Sequence, residues 1–314
     1  MEETSVSSLS FYDRYMVSGT RNMSSAVRIW DLSTCKCIKV LEGHIDKVKY
    51  VKFSPNGKYV VSTSEDNTIR IWEVKTGKCK NILTMHTRCV NSVSFSPDGK
   101  YLLSASDDES VRVWEVETGK CINLLLLYKW VFTALFSSDG NIITGGGDNR
   151  ICTWHFKTRK PISIWKGHTK WVTCLCYSPD LKYIASGSED NTVRIWEVKT
   201  GECIKILSNH IRYIHSLEFF QDGNYLISSS YEIICIWDTK TWKPTCIKPN
   251  RLDSFSCASV YNNNLYVGTF LNIKIFKISS IVGLNRMVLE KLILYGLYQE
   301  ELLEPSIFIQ VEKF

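Results

Sequence analysis

The strongest constraint on this chain is its internal period. Segments 44–72, 86–114 and 168–196 align without a gap, each with an aspartate 22 residues after a histidine and a tryptophan six residues after the aspartate. Their cores read SPNGKYVVSTSEDNTIRIWE, SPDGKYLLSASDDESVRVWE and SPDLKYIASGSEDNTVRIWE. Weaker copies end at Trp30, Trp154, Trp237 and Phe276, so successive ends lie 42, 42, 40, 42, 41 and 39 residues apart. A unit this short cannot bury an apolar face alone, and stacking copies is how such units share a core. Seven copies of about 40 residues is the period of a four-stranded propeller blade.

The chemistry inside one copy agrees with that period. In the second copy Val48, Tyr50 and Phe53 open a β-rich run, and Ser54-Pro55-Asn56-Gly57 ends it as a turn. Residues 59–64 predict the next strand, Glu65-Asp66-Asn67 a second turn, and 68–74 a third strand. Lys75-Thr76-Gly77-Lys78 then leads to a fourth strand ending at Leu83. Four short strands per copy with no helical periodicity between them predict an all-β fold and exclude α/β architectures.

These in-register copies identify the chain as resembling the WD-repeat family over about residues 5–278. The resemblance implies a seven-bladed β-propeller of four-stranded antiparallel blades. It also implies that each complete blade buries a hydrogen-bonded set of histidine, hydroxyl, aspartate and tryptophan. Carried over by position, the complete sets are His44/Ser62/Asp66/Trp72, His86/Ser104/Asp108/Trp114 and His168/Ser186/Asp190/Trp196. The copy ending at Trp154 keeps Thr144 and Asp148 but has Leu127 in the histidine slot. The copy ending at Trp237 has His210 and Ser228, with Glu232 nearest the aspartate position in a turn one residue shorter. The first copy lacks both histidine and aspartate, and Arg251, Asn272 and Phe276 fill the histidine, aspartate and tryptophan places of the last. Blades two, three and five are expected to be the most rigid, blades one and seven the loosest.

Phase also bears on closure. Val6, Leu9 and Phe11 match a first strand, so the chain starts in register with an innermost strand, and no N-terminal outer strand remains to complete the last blade. The expected organisation is a propeller over 1–280 followed by a tail over 281–314. That tail could supply the missing strand from 287–294 (MVLEKLIL) or 307–311 (IFIQV), or form a helix over 284–303.

A recurring His, Ser and Asp suggests a hydrolase, but repetition argues against it, because a catalytic site needs one exposed nucleophile in one cleft. The buried network accounts for every member, so no catalytic residue is assigned and no enzyme activity is expected. His155 and His215 lie outside the histidine slots without useful companions. Gly145-Gly146-Gly147 ends a strand and leads into a turn, not into the helix a phosphate loop requires. The chain has twelve cysteines. Cys37, Cys79, Cys121 and Cys203 each follow a tryptophan by seven residues, one slot filled four times. Neighbouring blades should hold such positions too far apart to bridge. Cys174 and Cys176 share a strand face without further ligands, and no Cys-x-x-Cys pair exists, so no metal and no cofactor is expected.

Composition limits the partners. A net charge of +6 without a run of five basic residues permits acidic partners without demanding nucleic acid. No apolar stretch reaches the roughly 18–20 residues that span a bilayer, and Met1-Glu2-Glu3 begins no secretory signal. Reduced thiols in the cytosol or nucleus follow from the cysteine pattern. Two residues after the histidine slot stand Asp46, Arg88, Lys129, Lys170 and Arg212; three after it stand Lys47, Cys89, Trp130, Trp171 and Tyr213. In the related family these loops line the top rim. Arg88, Lys129, Trp130, Lys170, Trp171, Arg212 and Tyr213 are therefore the candidate partner-binding residues, with the aromatic and cationic makeup of binding hot spots. Acidic Glu65, Asp107 and Glu189 flank them. The expected function is a non-enzymatic scaffold or adaptor for protein or peptide partners within a larger complex, without membrane or small-molecule substrate. Alternatives are a reader of modified or acidic peptides and an RNA-binding propeller.

Overall fold

The computed structural model describes residues 6–20, 25–137, 140–248, 254–262, 264–269, 272–277 and 307–310. These build seven four-stranded antiparallel sheets, with no helix among the described residues. In blade two the strands are Val48–Phe53, Tyr59–Ser64, Ile69–Glu73 and Cys79–Leu83, ordered from the channel outward. Tyr59–Ser64 is buried along its whole length because neighbouring blades cover both its faces. That is why the core reads VVSTS without alternation. The outer strand Lys36–Leu41 of blade one does alternate exposed and half-buried residues, as expected with solvent on one face.

Turn chemistry sets each strand's register. Ser54 Oγ donates to Asn56 Oδ1 at 2.8 Å and accepts from the Tyr59 N–H at 2.9 Å. Gly57 meanwhile adopts a φ of +65° against the ring of Tyr12, where a Cβ would collide. In blades two to five the second turn uses a left-handed residue, Asn67, Glu109, Asn149 or Asn191.

The core lies between blades, not within them. Seven apolar clusters occupy the seven junctions, each joining two neighbouring sheets. At the junction of blades one and two, Val17, Ile29 and Leu41 meet Val51, Phe53 and Trp72. The junction of blades seven and one closes the ring: Val6, Leu9, Met16 and Trp30 pack on Cys257, Tyr266, Ile273 and Ile275. Phe11 stacks on Tyr261 with centroids 5.1 Å apart and tilts against Tyr266 at 4.5 Å. The Tyr261 hydroxyl donates to the Asp13 carbonyl. Closure is thus made by side chains of the inner strands Val6–Tyr12 and Phe255–Tyr261 and their neighbours. The outer strand of blade seven is Ile307–Gln310, antiparallel to Asn272–Lys277. Residues 287–294 and the helix considered over 284–303 lie outside the described residues, as does Arg251.

This division of labour makes a prediction. Phe11→Ala should cost about 2 kcal/mol of stability, read as a lower urea midpoint, because it empties a half-buried aromatic site in the closing junction. Truncation before Ile307 should shift the melt less but leave Asn272–Lys277 an open edge, detectable as self-association by light scattering. A truncation that unfolds the chain while Phe11→Ala is neutral would reverse that assignment.

Candidate functional site

The site is built outward from one hydroxyl per blade. Ser62 Oγ accepts from Trp72 Nε1 at 2.8 Å and pairs with His44 Nε2 at 2.7 Å, while His44 Nδ1 lies 2.7 Å from Asp66 Oδ2. Blade three repeats this with Trp114 to Ser104 at 2.8 Å, His86 to Ser104 at 2.6 Å and His86 to Asp108 at 2.7 Å. Blade five does so with Trp196 to Ser186 at 2.7 Å, His168 to Ser186 at 2.7 Å and His168 to Asp190 at 2.8 Å. All three serines are fully buried, so none offers a nucleophile to solvent.

The sequence pattern missed a further member. Thr68, Ser110 and Thr192 each donate a hydroxyl to the second aspartate oxygen at 2.6–2.7 Å. The signal was available, since a hydroxyl residue stands two positions after each aspartate. Burial by itself would raise the Asp66, Asp108 and Asp190 carboxyls. Hydrogen bonds from His44, His86 and His168 and from these hydroxyls outweigh it and hold them well below the ordinary carboxylate range. The same aspartates accept the N–H of the residue after each histidine, from Ile45 at 3.2 Å, Thr87 at 3.1 Å and Thr169 at 3.0 Å. The core network therefore pins the backbone of the top loops.

Blade six departs from the sequence expectation. Glu232 does not take the aspartate's place; it accepts from Arg212 Nε at 3.1 Å on the surface. In the shorter turn Ser230 Oγ approaches His210 Nδ1 at 3.1 Å, while Nε2 pairs with Ser228 at 2.6 Å. Without a carboxylate, burial lowers the His210 imidazole to about 4. In blade four Leu127 packs against an apolar cluster, and Thr144 still accepts from Trp154 Nε1 at 3.0 Å.

The candidate binding residues separate by offset. Trp130, Trp171 and Tyr213 turn inward and line a channel cavity of about 950 Å³. Trp130 and Trp171 meet edge to face with centroids 5.4 Å apart, and Phe132 stacks on Trp171 at 5.4 Å. Tyr213 forms a second group with His215 and Tyr231. Asp107, Glu189 and Asn91 share the mouth with both groups, and Lys52 and Glu218 line the wall deeper in. Burial pushes the Glu218 carboxyl up, against the charge of Lys52 and hydrogen bonds from Ser259 at 2.5 Å and the Val260 N–H at 3.0 Å. Arg88, Lys129, Lys170 and Arg212 do not line the cavity; they are exposed on the rim outside it. One residue after the histidine slot, an offset the sequence reading did not weigh, Ile45, Tyr128 and Ile211 are 88%, 95% and 70% exposed.

Glycines seat the mouth. A Cβ on Gly146 would lie 2.3 Å from the Trp130 carbonyl, and the Gly147 N–H donates to that carbonyl at 2.9 Å. The glycine run thus lets the Trp130 loop lie on the second strand of its blade. His155 is exposed and accepts from the Thr158 N–H, whereas His215 forms part of the channel wall.

The WD domain, G-beta repeat family matches residues 35–73, 77–115, 119–155, 159–197 and 201–238, more than half of the chain. The chain belongs to the WD-repeat family. Individual relatives match over little more than one repeat. The nuclear distribution protein PAC1 of Arthroderma otae is 40% identical over 53 residues, 17% of this chain and 11% of the relative. Ribosome assembly protein 4 of Saccharomyces cerevisiae is 39% identical over 49 residues, 16% and 10% of the two chains. A lissencephaly-1 homolog of Heterostelium pallidum is 38% identical over 48 residues, 15% and 11%. The matched segment is about a tenth of each relative's length. The five family matches leave unmatched the first three strands of blade one, the outer strand of blade six and all of blade seven; blades one and seven are the copies whose tetrads are least complete.

Blade six yields a pH prediction. An unfolded histidine protonates near its ordinary 6.5, and His210 in the fold only near 4. Its contribution is therefore fully present above 6.5 and is lost as pH falls from 6.5 to 4, on the order of 3 kcal/mol in all. His210→Gln should be less stable at pH 7 but flatter across that window, as followed by urea unfolding. The depressed aspartates act in the same direction at lower pH, below the ordinary carboxylate range. An unchanged slope in the variant would remove His210 from the account.

Proposed function

We propose that this propeller is a non-catalytic scaffold or adaptor that binds protein or peptide partners on its top face, as a subunit of a larger complex in the cytosol or nucleus. The observation that carries this reading is the layered top face. Exposed apolar side chains stand one residue after the histidine slot in blades two, four and six, cations two after it in blades three to six, and aromatics three after it in the channel mouth of blades four to six. Core hydrogen bonds hold the backbone of these loops in blades two, three and five, the last being the loop of Trp171, and the Gly147 N–H holds the Trp130 carbonyl in blade four. These loops are therefore organised before a partner arrives, which reduces the entropic cost of binding. Exposed apolar groups beside aromatic anchors and a cationic rim are the makeup of protein interfaces. The name of the ribosome assembly relative supports a role within an assembly.

The site disfavours the other readings. Asp107 and Glu189 at the mouth repel phosphate where Trp130 and Trp171 could stack on bases, so the aromatics suit a peptide better than RNA. An acidic peptide would have to keep its charges on the outer rim, at Arg88, Lys129 and Lys170.

The test compares partners recovered by affinity purification and mass spectrometry from the intact chain, from Trp130→Ala/Trp171→Ala, and from Lys100→Ala/Lys182→Ala on the opposite face. Truncating aromatic anchors costs about 2 kcal/mol or more each when they carry an interface. The tryptophan variant should lose its partners with its thermal melt still cooperative, and the lysine variant should keep them. Full recovery by the tryptophan variant would overturn the reading. Recovered affinity that falls log-linearly and steeply with salt would favour RNA.

A further inference from the structure

Ten of the twelve cysteines have ordinary places in the fold, such as the repeated slot of Cys37, Cys79, Cys121 and Cys203, whose thiols each contact a carbonyl two residues on. The other two face each other. In blade six the third strand Ile233–Asp238 and outer strand Pro244–Ile247 pair in unbroken register, with Cys235 directly opposite Cys246. In five other blades the same register position sets Arg28 against Val40, Arg70 against Ile82, Arg112 against Leu124, Cys152 against Ile164 and Arg194 against Ile206.

The register also fixes the distance class. Asp238 N–H donates to the Lys243 carbonyl at 3.1 Å, making 238/243 a hydrogen-bonded pair. With no shift from Trp237/Pro244 to Ile234/Ile247, the pairs alternate, and 235/246 falls in a non-hydrogen-bonded position. Pro244, which has no N–H, falls in the same class, as it must. Such partners lie about 4.5 Å apart at Cα, within the roughly 4.4–6.8 Å that disulfides span. Both thiols are unbridged, Cys235 in the core and Cys246 half-buried against the same cluster. Asn209 Nδ2 donates to Cys246 Sγ at 3.8 Å.

We propose that Cys235 and Cys246 form a redox modification site, in which a peroxide oxidises Cys246 and Cys235 closes a reversible cross-strand disulfide. The Cys246 thiolate attacks one peroxide oxygen and breaks the O–O bond, leaving a sulfenic acid and one water once the departing hydroxide is protonated. Cys235 sulfur then attacks the sulfenic sulfur. The S–S bond forms, the S–O bond breaks, and the hydroxyl leaves with the Cys235 proton as a second water. Two thiols lose two electrons and one peroxide gains them. A small thiol reductant reverses the bond by exchange. The roles follow from the surroundings. Cys246 is the more accessible, and hydrogen bonds from Cys235 and Asn209 with the charge of Lys248 lower its thiol despite burial. Cys235 is raised by the same hydrogen bond and by its deeper burial. Such transient disulfides are the redox-sensing kind found in reducing compartments. Asn209 precedes His210 in the loop that carries Arg212 and Tyr213, so Cys246 sits one hydrogen bond from the top face.

Trypsin separates the two thiols, because it cuts after Lys240 while Lys243 and Lys248 both precede proline. The full chain is treated with hydrogen peroxide, blocked with a maleimide, digested and analysed by mass spectrometry. The expected result is a dithiothreitol-reversible link between peptides 213–240 and 241–251, formed before Cys37, Cys79, Cys121 or Cys203 is lost to oxidation. Cys235→Ser should stop at a dimedone-trappable sulfenic acid on Cys246, and Cys246→Ser, checked for a native melt, should leave Cys235 unoxidised. Absence of the linked peptide, or oxidation of Cys246 no faster than of the four repeated cysteines, would overturn the proposal.

Discussion

In every blade that carries a strand tryptophan, one buried hydroxyl accepts the indole N–H: Ser18, Ser62, Ser104, Thr144, Ser186 or Ser228, at 2.7–3.0 Å. The rest of the structure depends on that contact. A buried indole N–H left unpaired costs about 1–3 kcal/mol, so the hydroxyl fixes how the second and third strands face each other. Where a histidine is present it uses the hydroxyl's remaining capacity. Where an aspartate follows, it satisfies the imidazole and then reaches the backbone of the next loop. Core packing is thereby converted into a defined surface through a short chain of hydrogen bonds that runs from the buried hydroxyl out to the exposed loop backbone.

The ring adds a second constraint. Because equal offsets in successive blades occupy equal heights, a residue type repeated at one offset becomes a band around the toroid. Three adjacent offsets after the histidine slot place apolar residues in blades two, four and six, a cationic arc over blades three to six and an aromatic arc over blades four to six. The bands are uneven, and the unevenness is informative. Blade six has lost its aspartate, holds its histidine neutral by burial, spends Glu232 on Arg212, and faces two cysteines across its outer ladder. The same sheet that departs from the tetrad carries the proposed redox pair, beside the loop of Arg212 and Tyr213.

Closure rests on the inner strands. The junction of blades seven and one is as apolar as the others, although blade seven lacks a tryptophan and starts beyond the last family match. Phe11, Tyr261 and Tyr266 do there what repeated aliphatic residues do elsewhere, while the outer strand Ile307–Gln310 covers an edge that would otherwise be open.

Much of this was legible in the sequence, because the period, the turns and the hydroxyl–tryptophan spacing are set by residues close together in one blade. Thus seven copies in phase predict seven sheets, and 22- and six-residue spacings identify which side chains meet in blades two, three and five. What only the tertiary structure decided are relations between segments whose separation carries no pattern. Whether Trp130 and Trp171 point outward or into the channel depends on how each top loop turns into an inner strand against the neighbouring blade. That Ser230, not Glu232, meets His210 depends on where a turn one residue shorter leaves its side chains. That Cys246 faces Cys235 depends on a ladder without the bulge found at this point in the blades carrying the repeated cysteines. Local chemistry fixes where strands and turns fall within a blade; only the packing of strands and blades fixes whether a ladder carries a bulge, which way a side chain faces and what it touches there.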